Sequence, residues 1–312
     1  MSTLPFIQTH EVEHHLSWKT VSDAMIEGHR FDRADIDDIL FKHGNDALLN
    51  RAAWVKGLGI GIKTATIFPD NATFTPALPT INAVFTLFDD KTGVPKAVID
   101  GIMVTKWKTA ADSILGARLL ARPDSKILLI IGAGTVAQSL IKAYSELFPN
   151  LEEILIWNRT ATKAEALAKT NDKVRAIEDL ASGVAKADIV SSATMSIDPI
   201  LKGEWVQPGT HVDLIGAYRP DMREADDNLI KKADLFVDAR ETTIHDIGEL
   251  IIPIKSGVIT EQDVRGDLYD LCNGSLGRTN DTAITLYKNG GGAHLDLMTA
   301  NFIYNTHKAE TL

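Results

Sequence analysis

No other part of the 312-residue chain constrains the fold as strongly as residues 126–148, where a strand, a glycine turn and a helix follow one another. They read KILLIIGAGTVAQSLIKAYSELF, an apolar strand entering the glycines and an amphipathic helix leaving them. The alternation of predicted strands and helices continues with EEILIW, TKAEALAKT, ADIVSSA, GTHVDLIG and ADLFVDA. Strands that alternate with helices predict parallel βαβ units, so we expect an α/β fold with a doubly wound Rossmann domain over residues 119–291.

The glycine turn has the spacing G-x-G-x-x-A, in which each small residue has a use in binding a dinucleotide. Gly132 would make the tight turn, Gly134 would let the backbone approach a pyrophosphate, and Ala137 would keep the helix close to the strand. The helix start at Thr135 and Val136 would supply amide donors and a positive dipole end. A glycine turn can also be purely structural, but both flanks and the following rhythm favour a dinucleotide.

The second strand of this unit ends in IWNRT, where a dinucleotide-binding fold usually carries an acid for the adenosine ribose. An acid would repel a 2′-phosphate, whereas Arg159 can pair with it bidentately and Asn158 and Thr160 can add hydrogen bonds. The segment therefore predicts NADPH as the preferred cofactor, with NADH possible but weaker. In the alternative interpretation, Thr160 caps the next helix and Arg159 is a solvated surface residue.

The residues before this domain have a different pattern of charged and apolar residues. Residues 9–29 and 32–43 are rich in charge and are predicted to form short helices. Residues 46–104 contain β-rich runs separated by Gly, Pro, Asn and Asp, with a hairpin turn at residues 89–93. These runs predict a mainly antiparallel sheet.

Two further helices complete the predicted organisation. One is WKTAADSILGARLLA, which ends before a proline, and the other covers about residues 294–307 and would return to the first domain. We therefore expect an α+β substrate-binding domain formed by residues 1–118 with 292–312.

Basic residues of this first domain are candidates for holding an anion. Strand alternation places Lys63 on one face with Gly61 and Ala65, whose small side chains leave room for a ligand. Alternatively, Lys63 points outward from a sheet edge. Arg51 has apolar residues on both sides, so it either reaches water or meets an anion.

Lys106 and Lys108 are predicted to lie in a first helical turn, where a positive charge opposes the helix dipole. Each would cost about 0.3–1 kcal/mol unless an anion is nearby, and a substrate carboxylate or the cofactor pyrophosphate would serve. In the alternative interpretation, Asp112 forms an ordinary helical pair with Lys108.

Composition excludes several classes of protein. A net charge of −10 argues against a general positive field for nucleic acid or acidic membrane, and no run of about 18 apolar residues appears. A single cysteine, Cys272, rules out an internal disulfide, and His14, His15, His211 and His245 do not have zinc-site spacing. We expect a cytoplasmic protein without a metal, nucleic-acid or membrane partner.

Several stretches in one order resemble the ornithine cyclodeaminase and μ-crystallin family along nearly the whole chain: GIKTATIFPDN, LFDDKTGVPKAVIDG, KTAADSILGARLLAR, IIGAGTVAQSL, IWNRT, KADIVSSAT and GTHVDLIGAYRPDMREAD. Within the family, LLNRAAW, IGIKTATIFP, KTAADS and IWNRT are most similar to bacterial Δ1-pyrroline-2-carboxylate reductases. The resemblance implies a homodimer whose N-terminal domain and C-terminal helix make the subunit contact.

The resemblance also implies roles for individual residues. On the substrate side it implies four residues, Arg51, Lys63, Lys108 and Thr80, with Lys108 standing where many members have arginine. On the cofactor side it adds Thr109, near the phosphates, and Thr194.

One departure from the family pattern bears on the reaction. Cyclodeaminases carry an aspartate where this chain has Tyr218, followed by Arg219-Pro220-Asp221 as in μ-crystallin, so the cyclising deamination loses its evident base. We therefore predict NADPH-dependent reduction of a small cyclic imino acid: Δ1-pyrroline-2-carboxylate to L-proline, and Δ1-piperideine-2-carboxylate to L-pipecolate. Lys63 is the first choice for proton delivery. The alternatives are an ornithine or lysine cyclodeaminase, an alanine dehydrogenase, or a non-catalytic protein that binds NADPH and a small ligand.

Overall fold

The structure, a computed structural model, describes residues 4–310, so the predicted domain ends at residues 1–3 and 311–312 lie outside the described part. The chain divides into two compact units. The first contains the described residues up to Lys108 and from Gly292, and the second is Thr109–Gly291. The dividing point therefore follows Lys108, whereas the sequence-based boundary follows residue 118.

The helices and strands are numbered here in chain order. They are β1 (Phe6–Ile7), α1 (Thr9–Val12), α2 (Trp18–Gly28), β2 (Asp35–His43), β3 (Asp46–Val55), β4 (Gly59–Ile67), β5 (Ile81–Phe88), β6 (Pro95–Asp100), α3 (Gly101–Leu120), β7 (Ile127–Ile131), α4 (Thr135–Leu147), β8 (Glu153–Trp157), α5 (Ala161–Ala168), β9 (Val174–Ala176), α6 (Leu180–Lys186), β10 (Ile189–Ser192), β11 (His211–Leu214), α7 (Asp227–Lys232), β12 (Asp234–Val237), α8 (Arg240–Thr243), α9 (Gly248–Lys255), β13 (Val264–Gly266), α10 (Leu268–Cys272), β14 (Thr285–Lys288) and α11 (Ala293–Glu310). Short 3₁₀ helices lie at Glu13–His15, Pro69–Thr73, Gly203–Trp205 and Glu261–Asp263.

The first unit contains a mixed sheet. Within residues 4–310 it has six strands in the order β1-β6-β5-β4-β3-β2. The pair β1 and β6 is parallel, and the other neighbouring pairs are antiparallel. We predicted a mainly antiparallel sheet and did not predict β1. The two residues of β1 pair in parallel with Val98 and Ile99, so the sheet is mixed.

The prediction of a helix over residues 32–43 is wrong, because β2 occupies Asp35–His43. It pairs with β3 along its whole length, and the connecting turn contains Gly44 at φ +61° followed by Asn45. A Gly-Asn pair is a hairpin signal, and edge strands tolerate charge because their side chains reach water. Four of the nine β2 residues are charged, which gave the segment its resemblance to a surface helix.

The start of α3 also differs from the prediction. The helix begins at Gly101, and the Asp100 carboxylate accepts the backbone N–H of Ile102 at 2.9 Å. Lys106 and Lys108 therefore lie beyond the first turn, and the dipole argument made for them is wrong. Glycine is needed at position 101 because an added Cβ would lie 2.7 Å from the backbone of a β5 residue.

One face of this sheet packs against helix α11, which also packs against α2. Phe85 and Leu87 of β5 are buried there, and each such side chain contributes roughly 1.5–3 kcal/mol of burial free energy. Gly61 of β4 permits the packing, since a Cβ at that position would lie 2.2 Å from the Phe85 ring and 3.1 Å from Leu297 of α11. The C-terminal helix is thus part of the first unit.

The second unit contains an all-parallel sheet, as the strand–helix rhythm predicts. Its eight strands, among the described residues, have the order β13-β12-β14-β11-β10-β7-β8-β9. The chain order reverses between β7 and β10, which makes the carboxyl ends of these strands a topological switch point. Residues 128–131 of β7 are completely buried, as expected for a parallel strand covered on both faces. The predicted α/β class is confirmed.

No helix in the described part of the chain combines the length and the apolar character needed to cross a membrane.

Candidate active site

Basic and acidic side chains gather on the helix-covered face of the first sheet. Arg51 lies directly opposite Lys63 in the pairing of β3 and β4, and Asp38 lies opposite Arg51 on β2. Directly opposite residues share a face, so these three side chains project to the same side. Arg51 donates to the Asp38 carboxylate at 2.8 Å, which offsets the repulsion between the adjacent cations. The predicted placement of Lys63 on one face with Gly61 agrees with this register, and the outward-facing alternative does not, because Lys63 is buried. The space beside Gly61 holds the Phe85 ring and Leu297, so glycine at this position is explained by protein packing.

Lys63 forms a buried ion pair with Asp296, a residue of the C-terminal helix. The lysine Nζ lies 2.8 Å from Oδ1 and 2.7 Å from Oδ2 of the carboxylate. Lys63 is 6% exposed and Asp296 is fully buried. Asp296 belongs to the first turn of α11, where the helix dipole favours a negative charge.

Lys108 approaches the same carboxylate from α3. Its Nζ lies 3.9 Å from Asp296 Oδ1, and its side chain is buried. Thr105, one turn earlier on α3, lies 3.5 Å from Lys63 Nζ through its hydroxyl and donates to the backbone oxygen of Gly101. Lys106 points elsewhere, to Glu13. Of the two lysines predicted on this helix, Lys108 is the one that the structure brings to Lys63.

The ionisation of this cluster is shifted by its environment. Burial lowers the pKa of Lys63 to about 8, because Asp296 only partly offsets burial and the neighbouring Lys108 and Arg51 lower the pKa further. Burial acts to raise the pKa of Asp296, but Lys63, Lys108 and Arg51 outweigh it, and the net direction is down. At neutral pH the pair is therefore a carboxylate and a protonated lysine that gives up its proton readily.

Two buried histidines flank the cluster. His294 lies in the first turn of α11 and packs edge-on against His29, which follows α2, with ring centroids 5.4 Å apart. Burial, His29 and Lys108 lower the pKa of His294 well below its ordinary value, so its imidazole is neutral. His29 Nδ1 lies 2.7 Å from the backbone oxygen of Met25.

Thr80 is a predicted substrate residue that the structure does not bring to this cluster. It precedes β5, and its backbone oxygen accepts from Phe68. Lys63 pairs with Phe85, which is five residues further along β5. At about 3.4 Å per residue, that is roughly 17 Å along the strand.

The glycine turn of the second unit is as predicted in its local geometry. Gly132 has φ +114°, and a Cβ there would lie 2.6 Å from the backbone oxygen of Ala193, so no other residue fits without strain. Ala137 is fully buried against the sheet. Gly134 differs, because no heavy atom of the described residues lies within 4 Å of a Cβ built on it. Protein packing therefore does not require glycine at 134, whereas close approach of a phosphate would.

The start of α4 follows this glycine directly. Gly134 is its N-cap and provides no side-chain hydrogen bond to the first turn, where Thr135 is exposed and Val136 half-buried. A 13-residue helix with such a start presents backbone donors and the positive end of its dipole. Together with Gly134, this arrangement fits the pyrophosphate of a dinucleotide.

The IWNRT segment lies beside the glycine turn, because Gly132 N donates to Trp157 O at 2.8 Å. Asn158 Nδ2 donates to the backbone oxygen of Thr160 at 2.9 Å. Thr160 is the N-cap of α5 but makes no side-chain capping bond, so this part of the alternative interpretation is not realised, whereas its other part, a surface position for Arg159, agrees with the structure. Arg159 is exposed and forms no ion pair with any residue of the 4–310 range.

Thr194 follows β10 and is held by a buried carboxylate that the sequence analysis did not identify. Glu224 accepts from the backbone N–H and the hydroxyl of Thr194, each at 2.8 Å, and from Ser192 Oγ and Gly216 N, each at 2.6 Å. Glu224 thus fixes the loops after β10 and β11 at the switch point. Thr109, the other threonine expected near the cofactor, makes a separate contact, in which its backbone oxygen accepts a hydrogen bond from Asn289 Nδ2 at 3.1 Å.

Asp296 and Glu224 are the residues that sequence reasoning missed. Asp296 lies in AHLDLMTA, an apolar helix in which a lone acid is a signal for a buried partner. Glu224 lies in a charged run, DMREADD, that gives no such signal. Tyr218 is 56% exposed, and its ring lies 5.7 Å from the guanidinium of Arg219.

Within the described residues, no group of three or more His, Cys, Asp or Glu side chains is arranged to hold a metal ion.

Comparison with known proteins places these features in a family. Residues 47–311 match the Ornithine cyclodeaminase/mu-crystallin family. The chain is 50% identical over 293 residues to a Delta(1)-pyrroline-2-carboxylate reductase of Paracoccus denitrificans, covering 92% of each chain. A structure of Thermococcus litoralis Delta(1)-pyrroline-2-carboxylate reductase in complex with NADH and L-proline aligns with TM-score 0.90 at 28% identity, covering 99% of each chain. An archaeal alanine dehydrogenase dimer with bound NAD aligns with TM-score 0.90 at 26% identity, covering 99% of this chain and 97% of that one. The chain therefore belongs to the ornithine cyclodeaminase/mu-crystallin family.

Proposed function

We propose that the protein is a ketimine reductase that converts Δ1-pyrroline-2-carboxylate to L-proline, and Δ1-piperideine-2-carboxylate to L-pipecolate. The observation that carries this proposal is the 50% identity to the Paracoccus denitrificans reductase over 92% of both chains. The buried lysine and its partners supply the chemistry that such a reaction needs. A nicotinamide cofactor, when bound, supplies the hydride.

The substrate's carboxylate is held by the cations of the first unit. Arg51, Lys63 and Lys108 carry three positive charges, and Asp38 and Asp296 carry two negative ones. These five side chains leave one net positive charge, which matches a substrate with a single carboxylate. Arg51 offers a planar fork for two parallel hydrogen bonds, while Lys108 acts as a point charge.

Lys63 donates the proton in this proposal. A protonated C=N bond is a better hydride acceptor than a neutral one, so a donor whose pKa lies close to neutrality speeds the reaction. The pKa of Lys63, lowered by burial to about 8, meets this condition, because the residue is largely protonated at pH 7 and yet releases its proton readily. Lys63 loses an N–H bond as the imine nitrogen gains one, and water restores the lysine afterwards.

The second unit binds the cofactor in this proposal, and we assign a preference for NADPH. The glycine turn at Gly132 and Gly134, with Thr135, Val136 and Ala137 at the helix start, holds the pyrophosphate. Thr109 and Thr194 complete this set. Arg159 lies exposed beyond β8 and forms no ion pair within the 4–310 range, so its guanidinium can receive a 2′-phosphate, with Asn158 and Thr160 beside it. The related reductase of Thermococcus litoralis was solved with NADH, so the test of this assignment must compare both cofactors.

We also propose that the protein is a homodimer that buries the outer face of the first sheet. Strand register puts Ile39 of β2, Trp54 of β3, Ile62 of β4 and Val84 of β5 on the face opposite to Lys63. These side chains and Phe41 are 37–60% exposed. An apolar sheet face of this kind marks an interaction surface, and a second copy of the chain is its occupant in this proposal.

The test is a steady-state comparison of both imines with NADPH and NADH, following cofactor absorbance at 340 nm. We expect oxidation of NADPH that depends on pyrroline-2-carboxylate. Absence of oxidation with every pair would contradict the proposal. NADH production from L-alanine, or ammonia release from L-ornithine, would instead favour an alanine dehydrogenase or a cyclodeaminase.

A further inference from the structure

We propose that Asp296 is a positioning residue of the reductase, which acts through Lys63 by fixing the place of its ammonium group and keeping it protonated. This inference rests on the proposed function and extends it to a residue of the C-terminal helix. Asp296 is not itself assigned a contact with substrate or cofactor.

The geometry singles out Asp296 as the partner that holds Lys63. Its two oxygens lie 2.7 and 2.8 Å from the lysine nitrogen, closer than the 3.5 Å to the Thr105 hydroxyl. The carboxylate is fully buried, so water cannot take its place in screening the lysine. The pair joins β4 to α11 through two residues that are 233 positions apart in the sequence.

Several elements around the pair contribute a charged or titratable group, whereas β5 places the apolar Phe85 opposite Lys63. Lys63 comes from β4, Arg51 from β3 and Lys108 from α3, while His294 comes from α11 itself and His29 from the end of α2. The histidine at 294 is neutral, because its pKa is lowered well below its ordinary value by burial, His29 and Lys108. Asp296 is therefore the carboxylate on which three cations act.

Removal of this charge has a definite consequence for the lysine. Burial lowers the pKa of Lys63, Lys108 and Arg51 lower it further, and Asp296 acts in the opposite direction. Without the carboxylate the pKa falls below about 8, so a larger fraction of Lys63 is neutral at pH 7 and cannot donate a proton. The ammonium also loses the two oxygens that orient it.

The experiment compares Asp296→Asn with Asp296→Glu, using Glu310→Gln as the matched control on the same helix. Glu310 is 51% exposed, so its variant changes the charge of α11 at a surface position. The pH dependence of kcat and KM is measured with pyrroline-2-carboxylate and saturating cofactor. Cofactor binding and far-ultraviolet circular dichroism report folding.

In the wild type, kcat falls as pH rises through about 8, because Lys63 becomes neutral. We expect Asp296→Asn to lower kcat by roughly 10- to 100-fold at pH 7, to change KM by less than about threefold, and to move the alkaline limb to lower pH. Asp296→Glu keeps the negative charge, so the alkaline limb of its pH profile should lie at the wild-type position. Its kcat should stay below that of the wild type, because the carboxylate is displaced. Glu310→Gln should match the wild type.

An Asp296→Asn protein with the wild-type limb and a kcat within about twofold of wild type would overturn the inference. If Asp296→Asn does not fold, the Asp296→Glu variant tests the inference instead. A wild-type kcat in Asp296→Glu would show that the position of the carboxylate does not affect the reaction and would overturn the inference. If the wild type oxidises neither cofactor, the proposed reductase function itself is contradicted. If the wild type is active and Asp296→Asn has the same kcat and pH dependence, only the proposed role of Asp296 is contradicted.

Discussion

The stability of the Lys63–Asp296 pair gives a prediction that can be worked out from the structure. At a separation of 2.7 Å, two unit charges attract by roughly 6 kcal/mol at an effective dielectric constant of 20. Desolvation of both groups cancels much of this attraction, so the net value of the pair is far smaller. Removal of one partner leaves the other charge buried, which typically costs about 3–5 kcal/mol.

We therefore expect Lys63→Met to lower the free energy of unfolding by about 3 kcal/mol at pH 7, although methionine has a similar volume. Its cost should depend on pH. Loss of Lys63 removes the largest cationic contribution that lowers the pKa of Asp296, while Lys108 and Arg51 still lower it, so this pKa is higher in the folded variant than in the folded wild type. The stability lost by the substitution should therefore be largest at pH 7, where Asp296 is charged, and should shrink as the pH falls and the carboxylate is protonated in both proteins.

A double-mutant cycle with Asp296→Asn measures this coupling. Urea unfolding of wild type, Lys63→Met, Asp296→Asn and the double variant gives the interaction energy directly. The double variant contains neither charge and should recover most of the stability lost in the single variants, with a coupling energy of about 2–4 kcal/mol. A coupling below about 0.5 kcal/mol would show that the pair is not electrostatically linked and would refute this reasoning.

Further predictions concern the cofactor and the subunit contact. Arg159→Asp should raise the Kd for NADPH by about 10- to 100-fold and leave NADH binding nearly unchanged, as measured by fluorescence titration, and equal losses for both cofactors would contradict a 2′-phosphate contact. Gly132→Ala should destabilise the fold by about 1–3 kcal/mol, because φ is +114° and a backbone oxygen lies 2.6 Å from the new Cβ. Gly134→Ala should leave the melting temperature unchanged but weaken cofactor binding at least about tenfold, since its Cβ meets only the ligand; unchanged affinity would exclude a phosphate there. Trp54→Glu should shift the mass in light scattering from dimer to monomer, whereas Lys56→Glu, in the turn after β3, should not.

The second unit was predictable because its signals are local. The buried strands of a parallel sheet read as apolar runs, and Gly132 is required by a turn that a few residues define. Strand alternation was enough to place Lys63 on one face with Gly61 and Ala65, but it could not relate Lys63 to Arg51 on another strand. Arg51 lies directly opposite Lys63 because of the pairing register of β3 and β4, which the sequence does not show.

The errors arose where long-range pairing decides the structure. β2 has the charge of a surface helix and becomes a strand only because β3 offers it a partner. The early start of α3 at Gly101 depends on contact with β5 and on the Asp100 carboxylate. Asp296 was missed because its partner is 233 residues away, and no local pattern joins α11 to β4.

Stoichiometry is the most direct test of the central claim that this chain reduces cyclic ketimine acids. Purified protein is incubated with Δ1-pyrroline-2-carboxylate and NADPH, and the oxidised cofactor is compared with L-proline separated on a chiral column. We expect one L-proline for each NADPH oxidised by the wild type, and a rate at least about 100-fold lower in Lys63→Met. No proline, or proline formed at the wild-type rate by Lys63→Met, would contradict the reaction or the proton donor, respectively.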